Sequence, residues 1–182
     1  MRFEKNYTLE DGKILVLRNA YKEDAQRLLD YLKIVMAETK FLMREPEEIN
    51  LTVEEETDFI QKQIESEKDF MLLGEIDGEH VGNCSINSLG NYKRYAHRCS
   101  VSIALYQKYC GMGIGRKMLT TALELAKNIG YEQAELEVSV ENTHAICLYK
   151  NLGFEIYGTQ KNNMKYKDGT YCDMLLMMKF LE

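Results

Sequence analysis

Ile103-Ala104-Leu105, followed after a short connection by Cys110-Gly111-Met112-Gly113-Ile114-Gly115-Arg116, is the stretch on which the reading of this chain turns. Val101, Ile103 and Leu105 alternate with small or polar residues, which is the period of a strand. Ile114, Met118, Leu119, Ala122, Leu125 and Ala126 then recur on one face at helical spacing, and Gly130 stands where a helix-ending glycine is expected. The turn between them carries glycines at three alternate positions. Glycine lets backbone approach a ligand closely and adopt positive φ. A helix start adds N–H groups without intrahelical acceptors and a partial positive charge, a seat for a pyrophosphate. Arg116 and Lys117 bring cationic charge to the end where it opposes the helix dipole, a placement that a bound anion would relieve.

Two nucleotide-binding patterns can be tested on the same residues. A P-loop starting at Gly111 needs its second glycine at position 116, and a dinucleotide fingerprint needs its third there; Arg116 occupies that position in both cases. Too little chain follows the turn to build a full dinucleotide fold. The turn therefore predicts a different phosphate-bearing cofactor.

Downstream, Ala134, Leu136, Val138 and Val140 alternate with Glu135, Glu137 and Ser139 as a strand does. Asn142 can cap a short helix to about Asn151, closed by Gly153, and two final strands near Phe154–Thr159 and Tyr171–Lys179 flank Asp168-Gly169, a hairpin signal. Upstream, Ile14–Leu17 reads as a strand and Lys22–Ala37 as a helix with Leu28, Leu29, Leu32 and Val35 on one side. Pro46 lies in a charged loop, Thr52 and Glu55 form a capping box opening a helix through Ile64, and Asp77-Gly78 joins strands at Phe70–Leu73 and Val81–Ile86. Helices interrupting strands in the middle, with hairpins at both ends, predict a mixed α/β sheet.

The 182 residues, 45% hydrophobic, suit one domain with a sizeable core. A net charge of -6 argues against nonspecific nucleic-acid binding. Five cysteines, odd in number and never spaced Cys-x-x-Cys, argue against a disulfide framework or structural zinc and for reduced thiols in a cytoplasmic protein. The charged residues Met1–Glu10 do not read as a signal peptide, and no apolar run is long enough to span a membrane.

Leu136-Glu137-Val138 and the block Glu141-Asn142-Thr143-His144-Ala145-Ile146-Cys147-Leu148-Tyr149-Lys150-Asn151-Leu152-Gly153-Phe154, together with the glycine turn, resemble the GNAT superfamily of N-acetyltransferases over roughly the second half of the chain. Cys110 departs from the family's usual Arg or Gln at that position. The resemblance implies a single 1–182 domain, with 1–95 a variable acceptor-side half and 96–182 an acetyl-CoA-binding core. It implies a mixed, mostly antiparallel sheet of about seven strands with helices on both faces, splayed between two central parallel strands. Backbone groups of Ile103, Ala104 and Leu105 would pair with the pantetheine arm, and Gly111, Met112, Gly113, Ile114, Gly115 and Arg116 would hold the pyrophosphate. Asn142 would hydrogen-bond the cofactor, Tyr149 would face the thioester sulfur, and Glu137 matches a catalytic glutamate of some members.

Amide formation from a thioester needs a neutral amine and a proton for the departing thiolate. Asn142 and Tyr149, seven residues apart, share a helix face, so a phenol there can act as general acid. Tyr149 is equally placed to be a core aromatic beside Leu152 and Phe154, and Asn142 a plain helix cap. Glu137, on the polar face of its strand, would need partial burial to act as base; an ordinary solvent-side carboxylate is the alternative. Glu38 and Glu45 are weaker candidates for handling the amine, and His144 with Cys147 makes a covalent route thinkable. The expected reaction is acetyl transfer from acetyl-CoA to a primary amine of a small molecule such as an amino acid or polyamine, without a metal. The alternatives are a protein N-terminal or lysine acetyltransferase, for instance on a ribosomal protein, and a non-catalytic acyl-CoA-binding module. A second copy of the chain is an optional partner; nucleic acid and membrane are not expected ones.

Overall fold

The computed structural model describes residues 3–90 and 92–182. Eight strands and four α-helices follow in the order β1 (Glu4–Thr8), β2 (Ile14–Asn19), α1 (Ala25–Glu38), α2 (Val53–Glu65), β3 (Phe70–Ile76), β4 (Glu79–Ser88), β5 (Arg98–Leu105), α3 (Ile114–Ile129), β6 (Gln133–Ser139), α4 (Thr143–Asn151), β7 (Glu155–Lys165) and β8 (Tyr171–Phe180). They form one sheet in the order β1-β2-β3-β4-β5-β6-β8-β7, antiparallel throughout except for the parallel pair β5/β6.

Local chemistry accounts for most boundaries. Asp77 and Gly78 both adopt positive φ (53° and 79°), the geometry of a two-residue hairpin turn whose twist matches its strands. Thr52 accepts from the Glu55 N–H while Glu55 Oε2 accepts from the Thr52 N–H at 2.8 Å, so the capping box opens α2 as expected. Gly130, at φ 103°, ends α3 by donating to Ala126 and Lys127 carbonyls.

One boundary needed correction. The helix expected over Lys22–Ala37 begins with a separate 3-10 turn, Lys22–Asp24, before α1. Asp24 causes the break: its carboxylate accepts from the Tyr21 N–H at 2.8 Å and from Arg18 at 2.7 and 2.9 Å, which fixes it outside the helix. The sheet expected with about seven strands has eight, the charged residues near the start forming β1, paired along its length with β2. No apolar alternation marks β1; its inner side instead reaches α3 through Tyr7 Oη and Thr121 Oγ1 (2.7 Å) and through Lys5 and Glu124 (3.0 Å).

The sheet is packed on both faces, as its period of two dictates. On one face α3 buries Ile114, Met118, Leu119, Ala122 and Ala126 against Leu15, Leu17, Leu72, Val81, Cys84, Ile86, Val101, Leu136, Val138 and Met177. Burying each large side chain there contributes about 1.5–3 kcal/mol before conformational entropy is counted. On the other face Met71 and Leu73 of β3 meet Ala25, Leu28 and Ile60 of α1 and α2. Moving inward along that second face, alternation turns polar: Ser85 and Asn87 on β4 pair across to Ser102 and Ser100 on β5, with Glu135 and Glu137 on β6. A polar sheet floor thus lies beside α2, whose Gln63 Nε2 donates to Asn87 Oδ1 at 3.3 Å.

Candidate active site

The parallel pair β5/β6 is short. Pairing runs only from Arg98–Ser100 against Gln133–Glu135, and beyond it Val101–Leu105 and Leu136–Ser139 diverge. Each strand keeps its outer partner, β4 for β5 and β8 for β6, so the gap opens between their inner edges. The Tyr106 N–H donates to the Val81 carbonyl at 3.1 Å, which fixes the phase of the β4/β5 ladder. By alternation Ile103 and Leu105 direct their backbone N–H and C=O into the gap, as an incoming extended chain requires.

Ala104 has the opposite phase. Its backbone groups turn toward β4, and its carbonyl also accepts from the Tyr31 hydroxyl at 2.7 Å. The expected pairing of Ala104 with a ligand arm is therefore corrected: a strand presents only every second residue to one edge. Tyr31, buried in the stripe of α1, was absent from the expected site, although a tyrosine in an apolar stripe signals a hydroxyl in need of a partner.

At the end of β5 the chain turns into α3. Gly111 and Gly113 hold φ of 80° and 73°, and a Cβ added to either would meet nothing within 4 Å. Gly113 is the N-cap of α3 and has no side chain with which to cap it, so the N–H groups of Ile114, Gly115 and Arg116 remain free for a ligand. Gly115 serves another purpose: its Cβ position lies 3.5 Å from Leu148 Cδ2 and 3.6 Å from Leu105 Cδ1, which lets α3 sit close to α4 and β5. Met112 and Arg116 are exposed, and Ile114 is buried in the core. An uncapped helix start, left-handed glycines facing open space and a strand edge with free backbone groups fit the pyrophosphate and amide arm of a coenzyme A thioester.

On the far side of the gap, Asn142 caps α4 by accepting from the Ala145 N–H at 3.2 Å, which leaves its side-chain NH₂ free to donate. Tyr149 is buried, its ring edge-to-face with Phe154 at 5.9 Å. Burial pushes its phenol well above the ordinary tyrosine range, with the nearby Cys84 thiol adding to the effect. These surroundings are those of a core aromatic. Glu137 is exposed on β6, opposite Leu176 of β8, so the partial burial expected of a base is not found there. Glu38 accepts from the Gln107 N–H at 2.7 Å and Glu45 pairs with Lys167 at 3.2 Å, so both serve as ties between segments. His144 and Cys147 are exposed, and the thiol's neighbour is the Asn151 amide (3.5 Å) rather than the imidazole.

Residues 36–154 match the family model described as "Acetyltransferase (GNAT) family". The chain belongs to the GNAT acetyltransferase family. A solved acetyltransferase of the GNAT family from Streptococcus pneumoniae is 32% identical, with a TM-score of 0.87 and coverage of 91% of this chain and 99% of that one. The structure of yncA from Salmonella typhimurium, solved with its cofactor acetyl-CoA, is 18% identical over 92% of this chain and 94% of that one at a TM-score of 0.80, a likeness of fold. L-amino acid N-acetyltransferase AaaT of Escherichia coli is 32% identical over 59% of this chain and 66% of its own length. The chain spans about two thirds or less of the length of the curated relatives it matches. Within the GNAT frame the observed sheet, split between parallel central strands with a glycine-started helix beside the split, is the family's architecture.

Proposed function

We propose that this chain transfers an acetyl group from acetyl-CoA to the primary amine of a small molecule, directly and within a ternary complex. The observation that carries the reading is the early end of β5/β6 pairing beside the uncapped, glycine-started α3. The N–H groups of the Gly111–Arg116 turn would hold the pyrophosphate, with Arg116 adding charge. Ile103 and Leu105 would pair with the amide arm, and the free NH₂ of Asn142 would donate to it from the opposite wall. A thioester so held supplies an activated acyl carbon.

Tyr149 is the proposed general acid, giving its proton to the departing sulfur. Burial raises its pKa and so keeps the phenol protonated across the working pH range, available to donate to the sulfur as negative charge develops there. The acceptor nitrogen must lose one proton before it attacks and a second as the amide forms. Glu137, on the polar sheet floor, is the proposed acceptor of a proton through water; because it is exposed, bound substrate must supply the burial that raises its pKa. The L-amino acid N-acetyltransferase among the relatives supports a small amine as acceptor. Changing Tyr149 to Phe tests the assignment: thiol release should fall by about 10²–10⁴ with acetyl-CoA affinity retained. Unchanged turnover would remove Tyr149 from the mechanism.

A further inference from the structure

A cavity of about 680 Å³ opens between the segment 36–47, which follows α1, and residues 163–167 at the end of β7. One of its lining residues, Lys40, ties it to the start of α4. Lys40, on its wall, pairs at 2.5 Å with Glu141, the residue before Asn142, and its ammonium lies 5.3 Å from the centre of the Tyr166 ring. Met36, Leu42, Pro46 and Met164 give the cavity an apolar side.

Its charges do not balance. The lining holds four cations, Lys40, Arg44, Lys165 and Lys167, and two carboxylates, Glu45 and Glu47. Both carboxylates are taken by Lys167, which bridges the two segments, and Lys40 is taken by Glu141. Among the described residues neither Arg44 nor Lys165 has a carboxylate oxygen within 4.0 Å. Lys165 leans over the Tyr171 ring at 5.4 Å, whereas Arg44 is exposed at the cavity wall. The carboxylate that feels Arg44 most clearly is Glu56, which is itself buried and raised in pKa by that burial. The cavity therefore presents an unpaired guanidinium, a group whose planar fork matches a carboxylate.

We propose that the acceptor carries a carboxylate as well as its amine, and that Arg44 is the specificity-determining residue that binds this carboxylate. The inference rests on the acetyl-transfer reading and narrows its acceptor to a free amino acid with an apolar side chain. The side chain lies along the methionine- and leucine-lined wall, and the amine reaches past Lys40 toward the gap between β5 and β6. A polyamine is disfavoured by the same charges that favour an amino acid, since it would bring further cations to Arg44 and Lys165.

The test compares leucine, leucinamide and spermidine as acceptors, with thiol release from acetyl-CoA as readout. Leucinamide has the less basic amine, so chemistry alone favours it; a preference for leucine must come from the carboxylate. We expect kcat/KM for leucine to exceed that for leucinamide by about 10- to 100-fold, the range of a hydrogen-bonded charge pair. Arg44→Gln should collapse that ratio toward one through the KM for leucine, and Arg44→Lys should keep part of it. Retained acetyl-CoA binding in each variant shows that it is folded. Equal or better turnover of leucinamide or spermidine, or an unchanged ratio in Arg44→Gln, would overturn the inference while leaving acetyl transfer intact. Acetyl-CoA binding without transfer to any amine would overturn both.

Discussion

Gly113 and Gly130 stand at opposite ends of α3, and the pair separates a structural glycine from a ligand-facing one. Both hold left-handed φ, 73° and 103°, and a Cβ at either would meet no atom within 4 Å. Alanine at either position therefore costs only the backbone strain of the left-handed region, about 1–2 kcal/mol. For 182 residues the unfolding entropy is about 0.4 kcal/mol/K at ~2.1 cal/mol/K per residue, so each variant should lose about 3–5 °C in Tm. The affinities should part. The Gly113 methyl would stand at the uncapped start of α3, in the volume assigned to the pyrophosphate. Losing one charge-assisted N–H contact there, about 1.5–3 kcal/mol, weakens acetyl-CoA binding by about 10- to 100-fold. Gly130→Ala should bind acetyl-CoA as the wild type does. Thermal melting gives the first quantity and titration calorimetry the second. Matched Tm losses with matched affinities, both within about twofold of wild type, would refute the phosphate role of the turn.

Leu119→Ala, at a fully buried position of α3, should cost about 2–5 kcal/mol in urea unfolding; a loss under 1 kcal/mol would mean that α3 does not seal the core as described. Asp24 gives an acid-stability prediction. Burial raises its pKa, but hydrogen bonds from Arg18 and the Tyr21 N–H, with the charges of Arg18 and Arg27, outweigh burial and hold it at about 2. A depressed carboxyl stabilises the fold above its unfolded pKa, so its contribution, about 2 kcal/mol, should be lost as pH falls from about 4 to about 2. The stability gap between wild type and Asp24→Asn should shrink by that amount over the window, and a constant gap would show that Asp24 is not the titrating group. For Tyr149→Phe, the pH–rate profile at alkaline pH should keep its shape while its height falls, because burial holds the phenol above the assay range; loss of an alkaline limb would assign that limb to Tyr149.

The elements that sequence made legible are those whose information is local. Period-two runs, glycines with forced φ and the Thr52 capping box each act within a few residues, and each appears where its chemistry put it. β1 was missed because it is held by Tyr7 and Lys5 reaching α3, contacts 114 and 119 residues away. The glycine turn and the α4 block marked the site, yet the phase that turns Ala104 from the gap depends on the β4/β5 register, which no motif encodes. Likewise Glu135 and Glu137 alternate alike along β6, and it is the pairing of Glu135 with Arg98, on another strand, that accompanies its burial while Glu137 stays exposed. The cavity depends on ties such as Lys167 to Glu47, 120 residues apart, and Lys40 to Glu141. Those long-range pairings decide which cations remain free to meet a ligand.

Incubating the chain with acetyl-CoA and a mixture of free amino acids, amines and a peptide, and identifying products by mass spectrometry, tests the central claim most directly. The account predicts stoichiometric release of CoA with an N-acetylated small amine. CoA release with only the peptide modified, or no acetyl-CoA turnover at all, would contradict it.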